Sequence, residues 1–339
     1  MYRKDFLRTT GSVLAAGLLS GGKKLVSPEK KSVVKPVRLK PGDTVGFIAP
    51  ASIIYDKKEF RRMENIMNSM ELEVVFGEHV QSRYGYFSGT DEERAADINR
   101  FFQDPDIDGI MAVRGGWGSN RLLPFVNYEA IRENPKFFCG FSDITSLHLS
   151  IHARTGLVTF HGPNGISDWS LFTRNHFRKA AFGRVRDFKL VNPVIEEDMV
   201  KTIIPGKASG RMIGGNLTLV SSLAGSGYLP EMKGAILFLE DVEEDVYRVD
   251  RMLSQLHLCG ILNEINGFVF GRCTNCQKRS SDSFTLYQVL KHYLDPLGIP
   301  SFYGSMISHE PNIFTIPVGI PAEIDAEKGS IHLLESPVI

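Results

Sequence analysis

Between Thr44 and His161 the sequence alternates short, almost wholly apolar runs with amphipathic stretches, and no other feature of the chain restricts its fold as much. The runs "TVGFI", "LEVVF", "DGIMAV" and "KFFCG" are only a few residues long, and each runs into glycine or Ala-Pro, "DGIMAV" after one intervening arginine. Strands that read as continuous apolar runs are buried on both faces, and strands alternating with helical stretches make parallel sheets. Between the runs, Lys57 to Met70 places Phe60, Met63, Ile66 and Met67 on one helical face. Asp91 to Phe102 opens with acids, as the helix dipole favours. "SNRLLPFV" is expected to be a further helix. This half is therefore expected to be a Rossmann-like parallel sheet with helices on both faces. Ligands of such sheets sit beyond the carboxyl ends of the strands. Arg114-Gly115-Gly116 and Ser142 fall at those ends.

The chain has 339 residues, which suggests two domains at roughly 100–200 residues each. The second half reads as α+β, with its own core. Its expected strands are "GAILFLED" and "INGFVFGRC". Its expected helices follow Gly214-Gly215 and run through "VYRVDRMLSQLHL" and "FTLYQVLKHYL". "TIPVGIPAEIDAEKGSIHLLE" reads as a terminal hairpin turning at "EKGS". The weakly periodic stretch 169–206 reads as a connector. The expected organisation is thus a leader over 1–39, a Rossmann-like domain over 40–168, that connector, and a smaller β-rich domain over 207–339.

Lys and Arg together equal Asp and Glu, 39 each, so the basic excess of a nucleic-acid binder is missing. Four cysteines are too few for a disulfide scaffold. "CTNC", Cys273 to Cys276, lacks the second pair that a zinc site needs and reads as two cysteines at a strand end. The N-terminus has a basic start and a short apolar run, Val13–Leu19. That run is too short to span a bilayer and reads as an export signal. Arg3-Lys4 resembles a twin-arginine motif with lysine in the second position. A periplasmic location is expected, with the cytoplasm as second choice and no membrane span once the signal is removed. Lys23 to Lys40 reads as a disordered leader.

Ser142, in "GFSDI", sits where a strand gives way to a helix. Such a turn can hold a hydroxyl over the sheet edge as in a nucleophile elbow, or the serine can simply cap the helix. A serine nucleophile needs a base, usually a histidine oriented by an acid. His161 in "TFHGP" and His309 in "MISHEP" both end short apolar stretches. His148 and His152 read as solvated or packed helix residues, and His292 and His332 lie in the last helix and the hairpin. Glu240 ends a buried strand, where a carboxylate is costly unless paired, and Asp241 beside it is the rival. These features alone do not choose among them.

From about Lys40 onward the chain resembles the LD-carboxypeptidase family of serine peptidases, which includes the microcin C self-immunity peptidases. The resemblance rests on an ordered series: "IAPAS", "YFSGTDEERAADIN", "VRGGWGSNRLL", "GFSDIT", "TFHGP", "GGNL", "LFLED", "YRVDRMLSQL" and "HEPNIFTIPVG". It implies a Ser-Glu-His triad at Ser142, Glu240 and His309, between a Rossmann-like and a β-rich domain. It also implies oxyanion donors at the backbone N–H groups of Gly116 and Asp143, no metal or cofactor, and a homodimer. The implied activity is release of a terminal D-amino acid from an L-D bond, usually D-alanine from a murein tetrapeptide. Other amide conjugates, such as microcin-like peptidyl nucleotides, are the alternative within the family. A catalytically silent muropeptide-binding protein is the alternative outside it. Arg114, beside the glycines, is the candidate for gripping the substrate's free carboxylate, or else pairs with an acid and shapes its loop.

Overall fold

The computed structural model describes residues 32–183, 188–193 and 199–339. The export-signal reading of the first residues lies outside them. The apolar runs of the first half become β1 (Thr44–Ile48), β2 (Glu73–Phe76), β3 (Gly109–Ala112), β4 (Phe137–Gly140) and β5 (Thr159–His161). They pair in parallel in the order β5-β4-β3-β1-β2. β3 and β4 are buried at every position, as a sheet covered on both faces requires. Helix α1 (Lys58–Asn68) buries the four residues expected of it. Helix α2 (Asp91–Gln103) starts at Thr90, whose hydroxyl accepts from Glu93 N–H while Glu93 accepts from Thr90 N–H. α3 (Tyr128–Glu133), α4 (Thr145–Thr155) and α5 (Leu171–Phe182) complete the helices of this part.

The second sheet has eight strands in the order β6-β14-β13-β8-β9-β10-β11-β7. Its centre is parallel: β8 (Lys207–Asn216), β9 (Ile236–Val242), β10 (Gly267–Thr274) and β11 (Ser301–Tyr303). β6 (Phe188–Leu190), β7 (Lys201–Ile204), β13 (Pro321–Asp325) and β14 (Ser330–Leu333) join it antiparallel. Helices α6 (Leu217–Leu223), α7 (Val246–Leu258) and α8 (Leu286–Leu294) occur where the sequence places them. The fold is thus α/β with a parallel-strand sheet in each part, although the second sheet is the wider of the two.

Several local expectations change. "SNRLLPFV" forms a 3₁₀ turn, Ser119–Phe125, rather than an α-helix, because Pro124 lies inside it and can donate no hydrogen bond. The stretch read as a connector carries α5, β6 and β7. The leader is not wholly outside the fold. Val34 bridges to Leu157, Leu39 is buried, and Arg38 N–H and Ile339 N–H tie residues 36–38 to the C-terminus. The many Lys, Ser and Pro residues there hide the few apolar positions that dock. The terminal hairpin is β13-β14 only. Its expected first part, β12 (Ile316–Val318), instead pairs antiparallel with β5 at the edge of the first sheet. The C-terminal half therefore closes the edge of the N-terminal sheet and brings residues 305–315 past the end of β5. Cys273 and Cys276 are joined to each other in a disulfide.

Candidate active site

The loops at the carboxyl ends of β3 and β4 meet where Gly115 packs against Ser142, and the loop after β1 packs on the β3 loop through Ser52. The β4 strand ends at Gly140, Phe141 is extended, and Ser142 adopts φ 64° at the start of a 3₁₀ turn, Ser142–Ile144, that leads into α4. A non-glycine residue at positive φ is held there at a cost of about 1–2 kcal/mol by its surroundings. Phe141 N–H donates to Asn164 Oδ1 at 3.1 Å, which fixes the chain just before the turn. The residue in the N-cap position of α4 is Ile144, so the alternative of Ser142 as that helix's cap does not describe this turn. No hydrogen bond among the described residues uses Ser142 Oγ.

The second sheet supplies the polar partners. Glu240, at the end of β9, is fully buried, and its Oε2 lies 2.7 Å from His309 Nδ1. Asn216 Nδ2 donates to the other oxygen at 3.3 Å. Burial alone would raise the Glu240 carboxyl, but attraction to His309 and the hydrogen bond to it hold it below the ordinary carboxylate range. Burial works in the opposite direction on His309. There Glu240's charge and hydrogen bond outweigh it, with Asp241 and Glu243 adding to the effect, and its pKa is raised. His309 N–H donates to Thr274 Oγ1 at 3.3 Å, and its ring lies 4.8 Å from that of Phe141. Ser142 and His309 are thus neighbours through Phe141 but are not hydrogen-bonded to each other. Such contacts are often loose until substrate binds.

The rival residues have different surroundings. Asp241 points at the start of α6, accepting from Thr218 N–H and hydroxyl at 3.0 and 2.9 Å and from Val242 N–H at 2.9 Å. Burial and the neighbouring Glu240 push its pKa up to about 6. His161 is buried on β5, its Nδ1 has no partner among the described residues, and burial lowers its pKa to about 4. His148 Nε2 lies 2.7 Å from the Gly140 carbonyl and His152 Nδ1 3.1 Å from that of Leu157, so both are packed helix residues.

Gly116 is exposed at φ 118°, and a Cβ there would lie 2.2 Å from Ser52 Oγ, so only glycine fits. Asp143 follows Ser142 directly. Its carboxylate accepts from Ser119 N–H at 2.8 Å, which joins the β3 and β4 loops. Arg114 is half-buried. Its Nη1 donates to the Ile53 carbonyl at 3.1 Å, while its Nε is buried without a partner among the described residues. Among the described residues it forms no ion pair with an acid.

Sequence reasoning missed Asn216, Asn164, Ser52 and Thr274, which position the residues above. Asn216 lies within "GGNL" and Asn164 just after "TFHGP", but a single amide in a loop carries no signal of its partners.

An α/β scaffold with a serine held at positive φ beside a buried carboxylate–imidazole pair has the groups a serine hydrolase needs. The chain belongs to the LD-carboxypeptidase family and is a peptidase. The family's N-terminal domain matches residues 45–162 and its C-terminal domain residues 209–324. The chain is 36% identical over 299 residues to a Bacillus subtilis (strain 168) protein named a probable murein peptide carboxypeptidase, covering 88% of this chain and 93% of that one. Among solved structures it is similar to the microcin C7 self-immunity protein MccF in its apo state. The TM-score is 0.83 at 30% identity, over 90% of this chain and 100% of that one. It is also similar to the muramoyltetrapeptide carboxypeptidase of Oxalobacter formigenes. There the TM-score is 0.75 at 30% identity, over 86% and 97% of the two chains.

Proposed function

We propose that this protein is a serine LD-carboxypeptidase that releases terminal D-alanine from murein tetrapeptides. The observation that carries this reading is the buried Glu240–His309 pair, 2.7 Å apart, beside the Ser142 elbow. In this reading His309 Nε2 takes the Ser142 proton as Oγ attacks the scissile carbonyl, and then returns it to the leaving D-alanine amine. Glu240 holds Nδ1–H and stabilises the imidazolium. The N–H groups of Gly116 and Asp143 receive the oxyanion, and water resolves the acyl-enzyme. Arg114, half-buried beside the Gly115-Gly116 loop, receives the free terminal carboxylate. None of these steps calls for a metal or cofactor.

The test is mass spectrometry of a muropeptide mixture before and after incubation. Loss of one D-alanine from tetrapeptides, abolished in Ser142→Ala, is expected. An unchanged mixture would refute the substrate. The similarity to MccF at a TM-score of 0.83 favours, as second reading, an amidase for peptidyl-nucleotide conjugates. A solved MccF complex contains aspartyl sulfamoyl adenosine, and cleavage of an aspartyl adenylate-type conjugate but not of muropeptides would select that reading. A labelled fluorophosphonate that failed to react with Ser142 would leave a muropeptide-binding protein. Export to the periplasm and assembly as a homodimer belong to the same proposal, tested by fractionation of cells and by light scattering.

A further inference from the structure

Among the described residues Arg94, on α2, is the bulkiest fully buried side chain, with 1% of its surface exposed. Its Nη1 donates to two carbonyls on different loops, that of Pro50 after β1 at 2.6 Å and that of Gly118 after β3 at 3.3 Å. Its Nε reaches the Thr90 carbonyl at 3.4 Å and its Nη2 reaches Asp91 Oδ1 at 2.5 Å. Arg121 occupies the other Asp91 oxygen, with Nε at 2.9 Å and Nη2 at 2.8 Å. The Phe87 ring lies 4.3 Å from the Arg94 guanidinium and 5.0 Å from that of Arg121. Gly118, at φ 102°, lies so close to this ring that a Cβ would come within 2.3 Å of it.

A buried charge is a poor means of stabilising a fold, since an apolar side chain of similar volume fills the space without the desolvation cost. What a guanidinium adds is a rigid fork that can hold several carbonyls at fixed positions. The carbonyls it holds flank the candidate oxyanion donors. Gly116 carries one donor. Trp117 N–H, next in the chain, donates to Ser52 Oγ at 3.1 Å, and Ser52 is two residues beyond Pro50. The Gly118 carbonyl then goes to Arg94. Ser119 N–H and hydroxyl go to the carboxylate and carbonyl of Asp143, whose backbone N–H is the other donor.

We infer that Arg94 is a positioning residue for the oxyanion hole: by gripping the Pro50 and Gly118 carbonyls together, it sets the Gly116 N–H relative to the Asp143 N–H. The inference rests on the serine-peptidase reading above. Arg94 touches no substrate. Its effect falls on the transition state, because the ground-state carbonyl depends less on both donors than the oxyanion does. Displacing one donor by about 1 Å costs roughly 10²-fold in rate.

The experiment compares wild type with Arg94→Lys and Asp91→Asn. Arg94→Lys keeps the charge and most of the volume but has no fork. Asp91→Asn leaves the guanidinium in place with a weakened anchor. D-alanine release is measured alongside the affinity for a peptide boronic acid, which adds to Ser142 Oγ to give a tetrahedral adduct with one oxygen in the oxyanion position. Affinity for the tripeptide product is the ground-state reference. Arg94→Lys is expected to lower kcat about 10²-fold with KM within about threefold. It should weaken the boronate by a similar factor and leave product affinity unchanged. Asp91→Asn is expected to move the same quantities in the same direction by less. If Arg94→Lys does not fold, Asp91→Asn alone decides. A variant with lowered Tm but wild-type kcat and boronate affinity would overturn the inference. So would kcat and product affinity falling together. If Ser142→Ala were active, the serine-peptidase reading itself would fall. With Ser142→Ala dead and Arg94→Lys normal, only the role of Arg94 falls.

Discussion

Glu240 and His309 are 69 residues apart in the chain, and their side chains meet at 2.7 Å with the carboxylate fully buried. The pair ties β9 of the second sheet to the loop that precedes β12 of the first. Each partner shifts the other toward its charged form.

The pH dependence follows from that coupling. His309 accepts a proton only when neutral, and its pKa is raised above the ordinary value near 6.5. The acid limb of kcat/KM should therefore lie above that of an ordinary histidine. In Glu240→Gln the attraction is gone while burial remains, so the limb should move to lower pH as the plateau rate falls. Stability follows the same groups. The Glu240 contribution is full above the ordinary carboxylate pKa and is lost as pH falls through its lowered value. The His309 contribution is full below about 6.5 and is lost as pH rises through its raised value. The Tm difference between wild type and Glu240→Gln should be largest between those limits. A limb at the same pH in both proteins would contradict the pairing.

Ser142→Ala and Ser142→Gly should both be inactive, with losses of several orders of magnitude, roughly 10⁶ in a serine protease stripped of its nucleophile. They should differ in stability. Glycine relieves the positive φ, so Ser142→Gly should be more stable than Ser142→Ala by about 1 kcal/mol. Calorimetry of the two proteins checks this, and equal Tm values would mean that the turn is unstrained.

His309→Ala should abolish turnover and also lower Tm, because it leaves the fully buried Glu240 carboxylate without its charged partner. His161→Ala removes a fully buried ring and should lower Tm by several degrees, while the folded enzyme retains substantial kcat. Rates normalised to folded protein separate the two. An active His309→Ala beside a dead His161→Ala would reverse the choice of base.

Arg114→Lys should keep a positive charge near the Ile53 carbonyl but lose the planar fork that receives a carboxylate. The expected result is a rise in KM of about tenfold for the free-acid L-D peptide, matching roughly 1–2 kcal/mol from a charge-assisted contact. Wild type should ignore the C-terminal amide and the all-L isomer. Equal rates on acid and amide would remove the carboxypeptidase reading and leave a general amidase.

What is local in this fold can be read along the chain. Runs such as "GIMA" and "FFCG" can be satisfied only as strands buried on both faces, the four apolar residues of α1 define its inner side, and the glycines after β3 and the serine after β4 mark where those strands stop. Parallel pairing then brings the strand ends to one edge, so the neighbourhood of Ser142 is legible in the pattern of the chain. Which acid and which histidine meet was not readable, because Glu240 and Asp241 are adjacent and equally apolar in context. Only the placement of α6 makes Asp241 an acceptor for Thr218 and leaves Glu240 facing His309. The same holds for β12, whose few residues could extend a hairpin or close the first sheet. It holds also for Arg94, which reads as one charge among several on an acidic helix start. Its burial depends on Pro50, Phe87 and Gly118 arriving from three different loops, and contacts between segments far apart in the chain are set by how the layers pack rather than by the pattern within any one of them.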